Sequence, residues 1–386
     1  MAKPQGTDVS AILNIIRETA SNAYQDTVPL ATADNIRDVG MAVLNAPQPI
    51  RNEFMSNLIN KIGLTLVDYP VVNNHLSFLR KGKLEYGQTI EDIYVGLATA
   101  EPYITGMADG EYPDPFKIHK LVHESAFYHT ILSRQYPLTR HLTDLKKAFH
   151  GASSMEQFIG GIMNAITSRE AYDDYRMTVA LMARQIEEAS KSENHKGRVR
   201  LITLFNSTVD ESEQVTAENC FESKKFLQFF SNQLKKWAKR LKYLRNDLNI
   251  AGVDNVLPPQ KQRIMMPGDI LTDFETQLLA WAFNEDKLDI GGIDEIDAWY
   301  SIGAHAEQEE GVVVTPDDIR VKSTFTEEGS MCVGVIYDPD MIKIYNKEHI
   351  GSVQENAAGN YWNLFTTVED IYAASPFKNF VYFTLD

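Results

Sequence analysis

Between Ser153 and Lys191 the chain runs without a proline and keeps an apolar stripe at helical spacing. Phe158, Ile159, Ile162, Met163 and Ile166 open the stripe. Tyr172, Tyr175, Val179, Met182 and Ile186 continue it with a slow drift around the axis. Ser153 with Glu156, or Ser154 with Gln157, forms a capping box at its start. A helix over Ser154–Ala189 is a rod of roughly 54 Å at about 1.5 Å per residue. Rods of that length are unusual in compact enzymes. Gly160 and Gly161 are costly inside such a helix and mark a close contact or a bend.

A second feature points away from a self-contained enzyme. Residues 98–117 read ATAEPYITGMADGEYPDPFK, with prolines at Pro102, Pro113 and Pro115, two glycines and four acids. Little beyond Ile104, Met107 and the aromatics can pack. The stretch lies between two segments that read as strands, Thr89–Leu97 and Ile118–Leu132, the second rich in β-branched and aromatic residues. Two strands joined by an unpackable tip form an arm, and such an arm is ordered by something other than its own domain.

The remaining elements follow from spacing and punctuation. Short amphipathic helices are expected around Val9–Ile16, over Asp34–Leu44, and over Pro49–Lys61 with Gly63 closing it. Leu64–Val72 reads as a strand, and Arg80, Lys81, Gly82 and Lys83 as a basic turn. Arg198–Phe205 reads as a strand. Phe230, Leu234, Trp237, Leu241, Leu244 and Leu248 recur at spacings of four and three, predicting a helix over Ser223–Leu248 whose outer face is basic. Thr272 and Glu275 cap a helix carrying Phe274, Leu278 and Leu279. Ser301–Gly329 reads as an acidic loop, followed by strand, turn and strand at Met331–Tyr337, Asp338–Asp340 and Met341–Tyr345.

Charge and cysteine usage narrow the function classes. The 386 residues carry a net charge of −16, which argues against a dedicated nucleic-acid binder. Two cysteines, Cys220 and Cys332, make no disulfide scaffold, so a reducing compartment is expected. MAKPQGTDVS lacks the apolar core of a signal peptide, and no run approaches the ~20 apolar residues of a membrane span.

Motifs for phosphate or dinucleotide binding, Cys-x-x-Cys pairs and nucleophile elbows are absent. The nearest metal set is His119, His123 and Glu124, with His129 beyond. On a helix His119 and His123 share a face; on a strand they lie ~13 Å apart, too far for one ion. An intracellular metal-dependent enzyme built on His119, His123 and Glu124 is therefore the alternative to an assembly subunit. Asp338 and Asp340 resemble the opening of a calcium loop, but Lys343 stands where that loop needs glycine, so a turn is expected. Asp294, Glu295 and Asp297 read as a solvated loop. Asp173 and Asp174 diverge by about 100° on a helix and cannot act together. The basic face of Ser223–Leu248 fits either phosphates or a solvated surface that a neighbour's acidic loops can pair with.

Several runs, in order, resemble the major capsid protein family of small short-tailed phages of the phi-29 type. They are VPLATADNIRDVG (28–40), IRNEFMSNLINKIGL (50–64), RKGKLEYGQTIEDIY (80–94), FYHTI (127–131), MEQFIGGIMNAI (155–166), LLAWAFN (278–284) and AGNYWNLF (358–365). The resemblance implies an α+β fold, the tailed-phage major capsid fold of Hong Kong 97 type, with a long spine helix, an extended loop and an axial domain. By position, residues 1–63 become an N-terminal arm and helices. Residues 64–152 become the peripheral-domain entry with the extended loop at about 89–132. Residues 153–195 hold the spine helix, 196–329 the axial domain, and 330–386 the return to the peripheral domain. The resemblance also implies a shell of pentamers and hexamers around double-stranded DNA, a head that is icosahedral or prolate, and no catalysis. It implies portal and scaffolding proteins as partners, only non-specific contact with packaged DNA, no membrane, and no cofactor or metal. Such a protein is made in a bacterial cytoplasm and ends in the virion capsid. Phi-29-type proteins carry an immunoglobulin-like domain after this region, expected to be missing here. Arg80, Lys81 and Lys83 beside Glu91, Asp92, Glu101 and Asp109 are expected to make intersubunit charge pairs.

Overall fold

A computed structural model describes residues 9–386 apart from 33, 65–73, 85–88, 99, 101–115, 117, 129, 151, 274–291, 304–306, 309–310 and 326–329. The chain opens with α1 (Val9–Thr19), α2 (Asn22–Thr27), α3 (Ile36–Asn45) and α4 (Gln48–Leu64). Strands β1 (Arg80–Lys83), β2 (Ile90–Val95), β3 (His123–Tyr128) and β4 (Thr130–His141) follow, then α5 (Leu142–Ala148) and α6 (Ala152–Lys191). Next come β5 (Arg198–Arg200), α7 (Leu201–Asn206), α8 (Lys224–Arg240), β6 (Arg263–Pro267), β7 (Ile293–Ile296) and β8 (Tyr300–Ile302). The chain closes with β9 (Glu307–Gln308), β10 (Gly311–Val314), β11 (Ile319–Val321), β12 (Cys332–Tyr337), β13 (Ile342–Asn356), β14 (Tyr361–Ala374) and β15 (Val381–Thr384).

The proline-free run is one helix, α6, of 40 residues. It touches two cores in turn. Its first half lays Met155, Ile159, Ile162 and Ile166 against the N-terminal helices, through Leu13, Ile16, Val43 and Phe54, and against Trp362 and Leu364 of β14. Its second half packs Met177, Leu181, Met182 and Ile186 with Leu132, Ile342, Ile344 and Tyr372. At Gly161 an added methyl group would lie 3.7 Å from Arg140, so that glycine marks no tight approach.

Six strands form the larger sheet, in the order β1-β13-β14-β4-β10-β9. Its centre is the long antiparallel pair β13–β14, with β4 antiparallel on the far side of β14. A five-stranded sheet, β5-β15-β12-β6-β7, is covered by α7 and α8. Phe226, Phe230 and Leu234 of α8 meet Val333, Ile336 and Phe383 there. Ser223 caps α8 by accepting from the Phe226 N–H at 3.4 Å. Among the described residues β2 and β3 pair only with each other, as an antiparallel ribbon.

Several expectations change. Arg80–Lys83 is a strand, parallel to β13, and Gly82 takes φ 128° where the register shifts. Gly63 lies inside α4 rather than after it, and the strand expected at Leu64–Val72 falls, past Leu64, outside the described residues. Arg198–Phe205 divides into β5 and α7, because Leu201 and Phe205, four apart, share the buried side of a helical turn. The helix predicted to Leu248 stops at Arg240. Beyond it Leu244 is exposed, whereas Leu248 is buried from a turn. Ser301–Gly329 contains short strands, among them β10 and β11. The helix expected around Phe274 and Leu278 lies outside the described residues.

The strand, turn and strand around Asp338–Asp340 form as read, but they do not pair with each other. β12 belongs to the five-stranded sheet and β13 to the six-stranded one, so the turn carries the chain between sheets. The Asp338 side chain holds it by accepting from the Asp340 N–H at 2.9 Å. The cut at residue 330 therefore falls within a sheet system. β12 and β15 join β5, β6 and β7, while β10 joins β4. Long-range ladders of this kind leave no trace in local periodicity.

Candidate assembly surfaces

Where α6 crosses the larger sheet, the interior holds charge. Arg134 of β4 has a side chain with 0% exposure and bonds both Asp174 of α6 and Asp370 of β14. Arg80 of β1 reaches the same two carboxylates, Asp370 at 3.5 Å. Tyr372 Oη donates to Asp174 Oδ1 at 2.8 Å, and Asn346 Nδ2 donates to Asp370 Oδ1 at 2.9 Å. One network thus joins β1, β4, β13, β14 and α6. Buried charges persist only when paired and hydrogen-bonded in this way. Burial works against the Arg134 charge, but Asp174, Tyr372 and Asp370 outweigh it and its pKa is raised. Burial, and then the Asp174 carboxylate, push Glu170 up to about 7. Among the described residues, Glu170, Asp174 and Asp370 are the one acidic or histidine group close enough to share a cation, with ligand atoms within 4.8 Å of one another. The two arginines already occupy Asp174 and Asp370, so the cluster is an ion-pair network.

Asp173 faces elsewhere, as its position next to Asp174 on a helix requires. Tyr136 Oη donates to Asp173 Oδ2 at 3.1 Å, and Arg169 Nε does the same.

The β2–β3 ribbon has two unlike faces. Tyr94, Asp92, Ala126 and Tyr128 point to one side, alternating with Ile93, Val95 and Phe127 on the other. The first side is anchored on the chain's own body. Tyr94 Oη donates to the Asp254 carbonyl at 2.8 Å, and its ring stacks on Phe377 with centroids 5.8 Å apart. Asp92 accepts from Tyr128 Oη at 3.2 Å and lies 3.6 Å from Lys343. On the other side Ile93 is 58% exposed and Phe127 56%, with Val95 and Leu97 also exposed. The ribbon thus leaves an apolar face open to solvent.

The charged residues expected to face a neighbour divide. Arg80 is held in the buried network. Lys81 pairs with Asp340 at 3.1 Å, which also takes Lys261 at 2.8 Å. The hydrogen bond from Lys261, with help from Lys81, pulls Asp340 down to about 2. Asp92 is tied to Tyr128 and Lys343. Lys83 is exposed on β1, and Glu91 is exposed beside Ile93 and Phe127. Glu101 and Asp109 lie outside the described residues.

The His119, His123 and Glu124 set does not converge. His123 and Glu124 are neighbours on a strand, so His123 lies on the exposed face while Glu124 sits opposite Tyr94 on the inner one. His119 precedes the strand and lies in no helix or strand. Asp294 is no solvated loop residue either. It is buried in β7, where Arg263 donates to it at 2.5 and 2.8 Å and Tyr337 at 2.7 Å. No helix among the described residues is long and apolar enough to cross a membrane.

The family model described as "Phi29-like phage major capsid protein" matches residues 13–384. The major capsid protein of Bacillus phage PZA is 25% identical over 98% of this chain and 73% of its own length. That of Bacillus phage B103 matches to the same extent. In fold, the chain is similar to one in the capsid structure of Staphylococcus phage Andhra, with a TM-score of 0.53 and 12% identity over 83% of this chain and 86% of that one. With an α+β architecture, a spine helix crossing two cores and a family match over nearly its full length, the chain belongs to the Phi29-like phage major capsid protein family.

Proposed function

We propose that this subunit builds its shell chiefly through the outer face of the β2–β3 ribbon, laid against a neighbouring copy. The family is structural, and nothing supports the enzyme alternative. The observation that carries the proposal is the row Ile93, Val95 and Phe127, open to solvent on a ribbon whose other face is already fastened to its own body. Lys83, Glu91, Glu101 and Asp109 add charge pairs with the neighbour, while Arg80, Lys81 and Asp92 contribute from positions braced within the chain. The α1–α4 segment and α6 complete the contact surface. Shells of pentamers and hexamers, portal and scaffolding partners, and synthesis in the host cytoplasm belong to the same reading. So does the division into a spine-helix body and an axial domain centred on the five-stranded sheet.

The net charge of −16 supports only loose, non-specific contact with packaged DNA, because like charges repel within a Debye length of about 10 Å. Deleting residues 100–115 should leave a soluble, folded subunit that forms no shells. Normal particles from that deletion, seen by electron microscopy, would refute a role for the arm's tip, and normal particles from F127S would refute the ribbon contact.

A further inference from the structure

Helix α8 opens with Lys224 and Lys225 and carries no acid, but the loop leading into it is acidic and its C-terminal part is basic. Lys235, Lys236, Lys239 and Lys242 cluster at its C-terminal end and make no ion pair among the described residues. Arg240 joins them, its guanidinium over the Trp237 ring at 4.7 Å. At the other end, the loop leading into α8 exposes Asp210, Glu211, Glu218 and Glu222, also without ion pairs among the described residues. Glu213 differs, being bonded to Lys225. From its cap Ser223 to Lys235, α8 rises roughly 18 Å at about 1.5 Å per residue. That is beyond a Debye length of about 8–10 Å, so the two clusters do not neutralise each other within one chain.

The helix dipole accounts for part of this pattern. It favours cations in the last turn, where Lys239 and Arg240 lie, with an influence that fades within a turn. Lys235, Lys236 and Lys242 fall outside that account. Exposed apolar side chains accompany each cluster in sequence: Tyr243 (71% exposed) and Leu244 follow the cations, and Leu204 precedes the acids. An aromatic anchor ringed by charge is the composition of an interface centre with a polar rim.

We propose that the basic C-terminal end of α8 docks on the acidic 210–222 loop of a second copy of this chain. The inference rests on the shell reading and names one of its contacts. Each copy offers one cluster of each sign, so the contact propagates head to tail and closes into a ring when the rotation allows. A phosphate backbone could also use the cations, but it would leave Leu244 and the matching acids without a partner.

The test reverses charge on exposed side chains. One variant carries K236E, K239E and K242E; a second carries E211K, E218K and E222K; a third carries all six. Particles are counted by sedimentation and electron microscopy under the conditions in which the wild-type chain forms shells. Thermal melts and co-purified nucleic acid are measured alongside. Each triple reversal should reduce particle yield about tenfold or more with unchanged melting, and the six-fold swap should recover most of it. Wild-type yield from either triple variant overturns the proposal and leaves the shell reading intact, as does failure of the swap to recover. Loss of co-purified nucleic acid alone, with normal particles, assigns the face to phosphates and also overturns it. If the wild-type chain forms no shell, the shell reading falls. The variants are then compared by ultracentrifugation of soluble oligomers, where unchanged association, or no association of any variant, overturns the contact as well.

Discussion

At the crossing beneath Arg134 the chain buries two arginines' worth of charge contacts among β-strands, whereas on the β2–β3 ribbon it exposes isoleucine, valine and phenylalanine. The usual rule places these residue types the other way round. Each inversion has its own cause. Five elements distant in sequence meet at the crossing, and directional ion pairs fix their register where apolar side chains would tolerate sliding. The ribbon has fixed its own register through Tyr94 and Asp92 on the inner face, leaving the outer face free to gain from burial elsewhere. Charge at the crossing holds the single chain together, while the ribbon's exposed apolar face is the surface proposed to meet a neighbour.

The largest effect expected from this comparison is on stability. Replacing Arg134 with Met leaves Asp174 and Asp370 with only Arg80 as a cation. Removing one partner of a buried pair lowers stability by about 3–5 kcal/mol, because a charge is left uncompensated. Urea unfolding of R134M measures this. A loss below about 1 kcal/mol would mean that water reaches the crossing and that the network is no interior feature.

The sequence made one side of this contrast legible and hid the other. The strands on either side of the arm were readable, and with them the ribbon, because the return leg is rich in β-branched and aromatic residues and the tip between the two legs cannot pack. The length of α6 was readable because no proline or cap interrupts it. The crossing was not, since Arg80, Arg134, Asp174 and Asp370 are separated by up to 290 positions and no spacing rule links them. One signal was present: Arg134 stands at an inward position of a strand, two residues from the buried Leu132, where a lone cation needs an anion from elsewhere. The exchange of β10, β12 and β15 between sheets was hidden for the same reason, as was the end of α8. The four-three spacing continues past Arg240, yet the chain turns and puts Leu244 into solvent.

A second comparison concerns titration, with effects somewhat smaller than that of Arg134. His195, between α6 and β5, is held at about 4 by burial. Its Nδ1 accepts from the Gly197 N–H at 3.3 Å, so Nε2 carries the proton and donates to the Phe380 carbonyl at 3.1 Å. Its folded pKa lies below the unfolded value of 6.5, so its contribution is present above pH 6.5 and lost as pH falls through 4. At about 1.36 kcal/mol per unit this amounts to about 3 kcal/mol. Glu170 has the opposite sign. Its folded value of about 7 exceeds 4.5, so its contribution is present below pH 4.5 and lost as pH rises through 7. Between pH 4.5 and 6.5 the two oppose each other and flatten the wild-type profile. H195Q should leave a stability that falls as pH rises across this window, and E170Q one that rises. Parallel profiles for the two variants would contradict the assignment of one buried acid and one buried base.

The smallest effect on stability belongs to the ribbon, and its smallness is the point. Phe127 and Ile93 make their outward contacts with solvent, so F127S and I93S should each change the unfolding free energy by no more than about 0.5 kcal/mol, the range of ordinary surface substitutions. Y94F is the control on the inner face. It removes the hydrogen bond to the Asp254 carbonyl and should cost about 0.5–1.5 kcal/mol. Assembly should rank these variants in the reverse order. The outer-face serines each forfeit apolar burial against the neighbour at every copy of the contact, and particle yield multiplies that loss across the shell. If F127S and I93S melt like the wild type and still form particles at its yield, the outer face is not the contact, and its exposed side chains have no function in the assembly. If they instead unfold as readily as R134M, the ribbon is part of the subunit's own core, and the contrast between the charged crossing and the open ribbon does not hold.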